Sequence, residues 1–225
     1  MCGRYYVEDE ETIIEMREII NEINRKYSDS ATAPKMKIGE IFPTDAAPVL
    51  VASGSTQQAK AMRWGFPKWQ GSGVVINARS ESAAEKSMFR NSVVSRRIVV
   101  PTTGFYEWRR KDGQKSKDKF LFRKESSKML YLAGVYNTFA REDGIKEERF
   151  VILTAAANQS MASYHDRMPV ILEGDEKEAW LHDGHSYTNI MQKEQPPLIA
   201  QIAGNERKHE DKGEQQLDFF SMLNT

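Results

Sequence analysis

The run Met129-Leu130-Tyr131-Leu132-Ala133-Gly134-Val135-Tyr136, followed by the turn pair Asp143-Gly144 and then Phe150-Val151-Ile152-Leu153, decides the fold class. Each apolar run is short, rich in β-branched or aromatic residues and bounded by turn signals, a pattern that predicts strands. Working outward, Val49 to Val51, Val74 to Ile76, Ile98 to Val100 and Phe120 to Phe122 have the same character, and Asp112-Gly113 marks another turn. The expected core is a mixed, mostly antiparallel sheet or distorted β-barrel. Helices are fewer. Glu11 to Tyr27 carries Ile13, Met16, Ile20 and Ile23 at helical spacing between charged residues, which predicts an amphipathic helix packed on that core. Ser80 to Ser87, with Ser80 as its N-cap, and Asp175 to Leu181 predict two shorter helices. The class is α+β, in a single domain.

With 225 residues, 40% of them hydrophobic, the chain is long enough for a packed core. No repeat and no linker divides it before Gly204, where composition turns charged and polar. We therefore expect a domain over 1–203 and a flexible tail over 204–225 with an apolar tip. Lys and Arg number 32, as do Asp and Glu, so there is no global field to steer nucleic acid, and any such binding needs a local groove. The single cysteine excludes an internal disulfide, and Met1-Cys2-Gly3-Arg4 does not begin a secretory signal. No segment approaches the roughly 20 apolar residues of a membrane helix. A cytoplasmic protein is expected, and since nothing demands a partner chain, a monomer.

Cys2 has a covalent peculiarity. Removal of Met1 would leave it with a free α-amine and a thiol on adjacent carbons. With an aldehyde, the amine forms a Schiff base and the sulfur then closes a five-membered thiazolidine, which an internal cysteine cannot make. Both groups titrate only about one to two units above neutrality when unperturbed, so little activation is expected to be needed. Read alone, one cysteine near a chain end is more often a small buried structural residue than a reactive one. Three other stretches bear on it. Asn77-Ala78-Arg79-Ser80-Glu81 places a carboxamide and a guanidinium after a predicted strand. Gly104-Phe105-Tyr106-Glu107-Trp108 surrounds Glu107 with aromatic residues that would desolvate it, the setting a proton-transfer carboxyl needs. His165-Asp166-Arg167-Met168-Pro169, read as a loop, offers a proton-transfer group and a phosphate-binding guanidinium.

Taken with Met1-Cys2-Gly3-Arg4, Pro101 and Trp64-Gly65-Phe66-Pro67-Lys68-Trp69, these stretches resemble the SRAP family, the SOS-response-associated peptidase-like abasic-site proteins. The resemblance runs from Met1 to about Ala203. Ile98 departs from it, standing where many relatives have a second cysteine outside the family's reactive set. The resemblance implies that mature Cys2 captures the ring-opened sugar of an abasic site in single-stranded DNA as a thiazolidine crosslink. Asn77 would orient the amine, Glu107 would move protons, and His165 would assist at the sugar oxygen or phosphate. DNA contacts would come from Arg4, Arg79 and Arg167, less so from Arg90 and Arg97, because guanidinium forks match phosphate oxygens. Trp69 and Trp108 would stack on flanking bases, unless they are core residues. A bacterial, nucleoid-associated protein is implied, with no cofactor.

The same residues admit other chemistry. A terminal cysteine beside Asn, Glu and His is also the equipment of an N-terminal-cysteine peptidase or amidohydrolase, and the arginines alone would suit a noncovalent single-strand binding module. A metal site is not expected: His182, Asp183 and His185 have ligand-like spacing, but no second ligand cluster accompanies them. In the tail, Gln216-Leu217-Asp218-Phe219-Phe220 resembles the short peptides that dock on the bacterial sliding clamp, with Gln216, Leu217, Phe219 and Phe220 as its contacts.

Overall fold

The apolar runs on either side of Asp143-Gly144 form two 11-residue strands, Leu130–Ala140 and Lys146–Ala156, paired antiparallel from Gly134 opposite Ile152 to Ala140 opposite Lys146. Gly144 adopts φ 78° in the connecting turn, a conformation an L side chain rarely takes. The computed structural model describes residues 2–28, 34–110 and 116–205. Their element order is β1 (Arg4–Val7), α1 (Ile14–Tyr27), β2 (Gly39–Ile41), β3 (Ala46–Ser53), β4 (Thr56–Trp64), β5 (Phe66–Pro67), β6 (Val74–Val75) and β7 (Asn77–Arg79). There follow α2 (Ser80–Ala83), α3 (Arg90–Ser95), β8 (Arg97–Thr102), β9 (Gly104–Arg110), β10 (Lys117–Arg123), β11 (Leu130–Ala140) and β12 (Lys146–Ala156). The order ends with β13 (Arg167–Pro169), α4 (Glu176–His182), α5 (Tyr187–Gln192) and β14 (Ile199–Asn205).

Two sheets carry the architecture. One runs β14-β10-β9-β1-β2. The other runs β11-β8-β3-β4-β12-β13, with β7 also on β12, and it closes on itself because β11 pairs with both β8 and β12. Most pairings are antiparallel; β12 meets β4 and β7 in parallel. The expected mixed sheet with barrel character is what forms. Successive strand residues point to opposite faces, and the core divides accordingly. Val49, Val51, Ile98, Val100, Phe150 and Ile152 join Tyr5, Phe105 and Phe122 of the five-stranded sheet, and Cys2 just ahead of β1, in one cluster. Leu50, Val99, Val151 and Leu153 face Ile19, Phe89, Val93, Trp180 and Ile190, which come mostly from the helices. No helix among the described residues is long and apolar enough to cross a membrane.

Four expectations change. The helix expected over 80–87 stops at Ala83, and Arg79 rather than Ser80 holds its N-cap position. β7 runs straight into the helix, so Ser80 is already buried in its first turn. A separate α3 then begins where Phe89 packs on Phe66, with ring centroids 6.0 Å apart. Residues 167–169 are not loop but the short strand β13, because the end of β12 offers them an antiparallel partner. Arg97 is not a DNA-facing group. Its side chain is buried, and its guanidinium donates to the carbonyls of Val93 (3.0 Å), Val94, Trp180 and Asp183 (3.1 Å), closing the C-terminal ends of α3 and α4. The turn pair Asp112-Gly113, and the tail residues Gln216, Leu217, Phe219 and Phe220, lie outside the described residues.

Removing the Arg97 fork would leave several buried carbonyls without a donor, at about 1–3 kcal/mol each where water does not replace it. Arg97→Leu should therefore cost at least about 3 kcal/mol in urea unfolding. A loss below about 1 kcal/mol would mean that water takes over these carbonyls.

Candidate active site

The position of β1 builds the site. This short strand lies between β9 and β2, with Tyr5 opposite Phe105 on one side and Ile41 on the other. The Tyr6 carbonyl accepts the Thr103 N–H (2.9 Å) and the Thr102 hydroxyl (2.7 Å), which anchors the strand in register. Two residues upstream, Cys2 is carried into the apolar cluster and is fully buried. Its carbonyl accepts a hydrogen bond from Asn77 Nδ2 (2.9 Å), and its Sγ–H donates to the Arg4 carbonyl (3.7 Å). Asn77 reaches it because β7 lies parallel to β12, Asn77 opposite Ile152, at the edge facing that cluster. The other amide atom, Asn77 Oδ1, is buried and has no hydrogen-bond partner among the described residues.

Glu107 arrives from β9. On that strand Tyr106 and Trp108 alternate with Phe105 and Glu107, and Glu107 is buried on the Cys2 side. Its charge is felt by the thiol. Burial first, and then the Glu107 carboxylate, push the Cys2 thiol far above its ordinary range. With Met1 in place the sulfur is held protonated, whereas the expectation of a thiol needing little activation concerns the chain that has lost Met1. His165 comes from the loop before β13. Its Nδ1 accepts the Arg167 N–H (3.0 Å) and lies 2.7 Å from Asp166 Oδ1. The preceding residue, Tyr164, packs its ring on Phe120 (4.8 Å) and Phe122 (5.0 Å), and Phe120 stands directly opposite Glu107 across β9 and β10.

The expected phosphate ligands are unequally disposed. Arg4 lies between the rings of Phe42 (4.6 Å) and Trp108 (4.8 Å), with Nη1 3.2 Å from Glu40. Arg167 is buried, pairs through two nitrogens with Glu81 (Nη2 to Oε2, 2.7 Å), and donates to the Thr154 carbonyl. The hydrogen bond from Arg167 holds the Glu81 carboxyl down at about 2. Arg79 is exposed at the end of β7. Arg90 is exposed on α3, whose buried Val93 belongs to the cluster without Cys2. Trp108 is half-buried beneath two cations, Arg4 and Lys119 (5.8 Å). Trp69 is 81% exposed between β5 and β6, so it is not a core residue.

Three participants were missed in the sequence. Lys119 and Glu40 pair at 2.7 Å beside Arg4, and Arg109 lies over the rings of Phe120 (5.3 Å) and Tyr164 (4.9 Å). The alternation Lys117-Asp118-Lys119-Phe120 would have shown which side Lys119 takes. Nothing local would have shown its partners.

The family model for SOS response associated peptidase (SRAP) matches residues 1–205. The chain is similar to abasic site processing protein YoqW of Bacillus subtilis (strain 168), at 30% identity over 211 residues covering 89% of this chain and 88% of the relative. It is 32% identical to YoaM, an abasic site processing protein of the same organism, over 157 residues covering 68% and 69%. Abasic site processing protein HMCES of Xenopus tropicalis is 29% identical over 208 residues, covering 74% and 62%. Crystal structures of a Bordetella bronchiseptica protein (TM-score 0.71, 20% identity, covering 90% and 100%) and a Bacteroides thetaiotaomicron protein (0.69, 21%, covering 89% and 91%) share the fold.

Two outcomes follow from the geometry. Iodoacetamide at pH 8 should leave Cys2 of the Met1-bearing chain unlabelled when folded and label it in urea; equal labelling in both states would mean the thiol is reached from solvent. The Glu81 carboxyl titrates lower folded than unfolded, so its ion pair stabilises fully above its ordinary value of 4.5 and the contribution is lost as pH falls toward about 2. The stability difference between the wild type and Glu81→Gln should shrink over that window, and a difference constant from pH 6 to 2 would contradict it.

Proposed function

The chain belongs to the SRAP family, and on that premise we propose that it processes abasic sites in DNA by covalent capture at Cys2. The observation that carries this reading is the convergence of Asn77 and Glu107 on a buried cysteine at position 2. Removal of Met1 exposes an α-amine at Cys2, whose protonated form carries a positive charge on the nitrogen attached next to the thiol-bearing carbon. That charge opposes the effects of burial and Glu107 on the sulfur.

The chemistry then runs in balanced steps. The abasic sugar opens to its aldehyde, and the Cys2 amine adds to the carbonyl carbon. The resulting carbinolamine loses water to give an imine. The Cys2 sulfur adds to the imine carbon, its proton passes to the nitrogen, and the thiazolidine closes with one water released overall. Glu107 takes the sugar hydroxyl proton during opening and returns one to the departing hydroxyl. Asn77 Oδ1, which has no donor among the described residues, suits the amine that Met1 removal creates. His165 assists at the sugar oxygen or the adjoining phosphate.

Single-stranded DNA is the substrate form we propose. Phosphates are held by Arg79 and, once Glu40 and Glu81 give way, by Arg4 and Arg167, and Trp69 and Trp108 lie against flanking bases.

Intact mass after mixing with an abasic single-stranded oligonucleotide should show loss of Met1 and a mass equal to protein plus oligonucleotide minus one water. Cys2→Ala, or one residue added ahead of Cys2, should abolish the adduct. Glu107→Gln should slow its formation about 10²-fold or more. Peptide turnover without an adduct would replace this reading with a hydrolase. A gel shift that survives Cys2→Ala, with no denaturant-resistant band in the wild type, would replace it with a noncovalent binder.

A further inference from the structure

Arg109 is the guanidinium near the cluster that the proposed chemistry does not use. It lies two residues beyond Glu107 on β9, hence on the same face and roughly 7 Å further along the strand. It is exposed; Asp118 stands opposite it on β10, but among the described residues no carboxylate forms an ion pair with it, in contrast to Arg4 and Arg167. Instead its guanidinium is supported from below by Phe120 and Tyr164. The shelf extends across the sheet: Phe120 stands opposite Glu107 on one side and opposite Ile202 of β14 on the other, and Ile202 is 73% exposed. Glu107, Phe120 and Ile202 thus form one row on one face, with Arg109 rising at its outer end and Tyr164 leading into His165.

An exposed guanidinium on an aromatic shelf beside an exposed aliphatic side chain matches a nucleotide, whose phosphate needs a charged fork and whose base or sugar needs an apolar face. We propose that Arg109, with Tyr164 and Ile202, binds the nucleotide adjoining the lesion on the His165 side of the site. Arg109 takes its phosphate, and Ile202 lies against its base or sugar. The proposal rests on the single-stranded DNA reading above. Its particular content is that the β9–β10–β14 edge is a track for the strand, and that Arg109 supplies a cation which needs no carboxylate to be displaced.

The test uses an oligonucleotide carrying a tetrahydrofuran abasic analogue, which has no aldehyde to react, and follows binding by fluorescence anisotropy across a salt series. Losing one phosphate contact on a single strand lowers the slope of log K against log salt by about 0.7. Arg109→Gln should show that drop with weaker binding at low salt, and Arg109→Lys should keep the wild-type slope. Ile202→Ser should weaken binding with the slope unchanged. Wild-type binding with an unchanged slope and affinity in Arg109→Gln would overturn this inference and leave the capture reading intact. A wild type that neither binds the analogue nor forms the adduct would overturn both.

Discussion

The site depends on the capture of β1 inside a sheet. A chain terminus is ordinarily solvated and frayed, but here Tyr5 and Tyr6 are hydrogen-bonded between β9 and β2, and Thr102 and Thr103 hold the Tyr6 carbonyl. Once that strand is in register, Cys2 has only the apolar interior to enter, where Asn77 meets its carbonyl. The same pairing fixes Glu107, because it belongs to the strand that β1 joins. The position of the cysteine, the identity of its amide partner and the burial of the carboxyl are therefore consequences of one strand's place.

Burial has an electrostatic consequence. A thiol withdrawn from water beside a carboxylate is held protonated. In the Met1-bearing chain the sulfur is thus protected from adventitious chemistry, and an amine created at Cys2 would change the local charge where it matters most. Further out, Glu40 and Glu81 occupy the forks of Arg4 and Arg167. These ion pairs orient the guanidinium groups and offset their charge, which accords with a chain whose acidic and basic residues are equal in number. Among the described residues, Arg79 and Arg109 form no ion pair.

The strand content was legible because short β-branched and aromatic runs leave few alternatives, and the Glu11 to Tyr27 pattern became α1 (Ile14–Tyr27). The reading failed where an element's fate was set by a neighbour. Arg167 to Pro169 is a strand because β12 has a free edge there, and Ser80 lost the N-cap position because β7 delivers the chain directly into α2. Arg97 was expected among the lesser DNA contacts, yet two helices end on it.

The sequence by itself determined the chemical inventory: one cysteine at position 2, a carboxamide after a strand, a carboxyl among aromatic residues, a histidine beside an arginine, and an α+β chain to carry them. Those follow from residue type and local spacing, which are properties of short segments. Only the tertiary structure decided that Asn77 and Glu107, separated by 75 and 105 positions from Cys2, converge on it while Arg97 turns inward. It also decided that Arg109 rests on a shelf made by Phe120 and Tyr164. Such outcomes depend on strand register and on which face each side chain takes, and neither is encoded within any one segment.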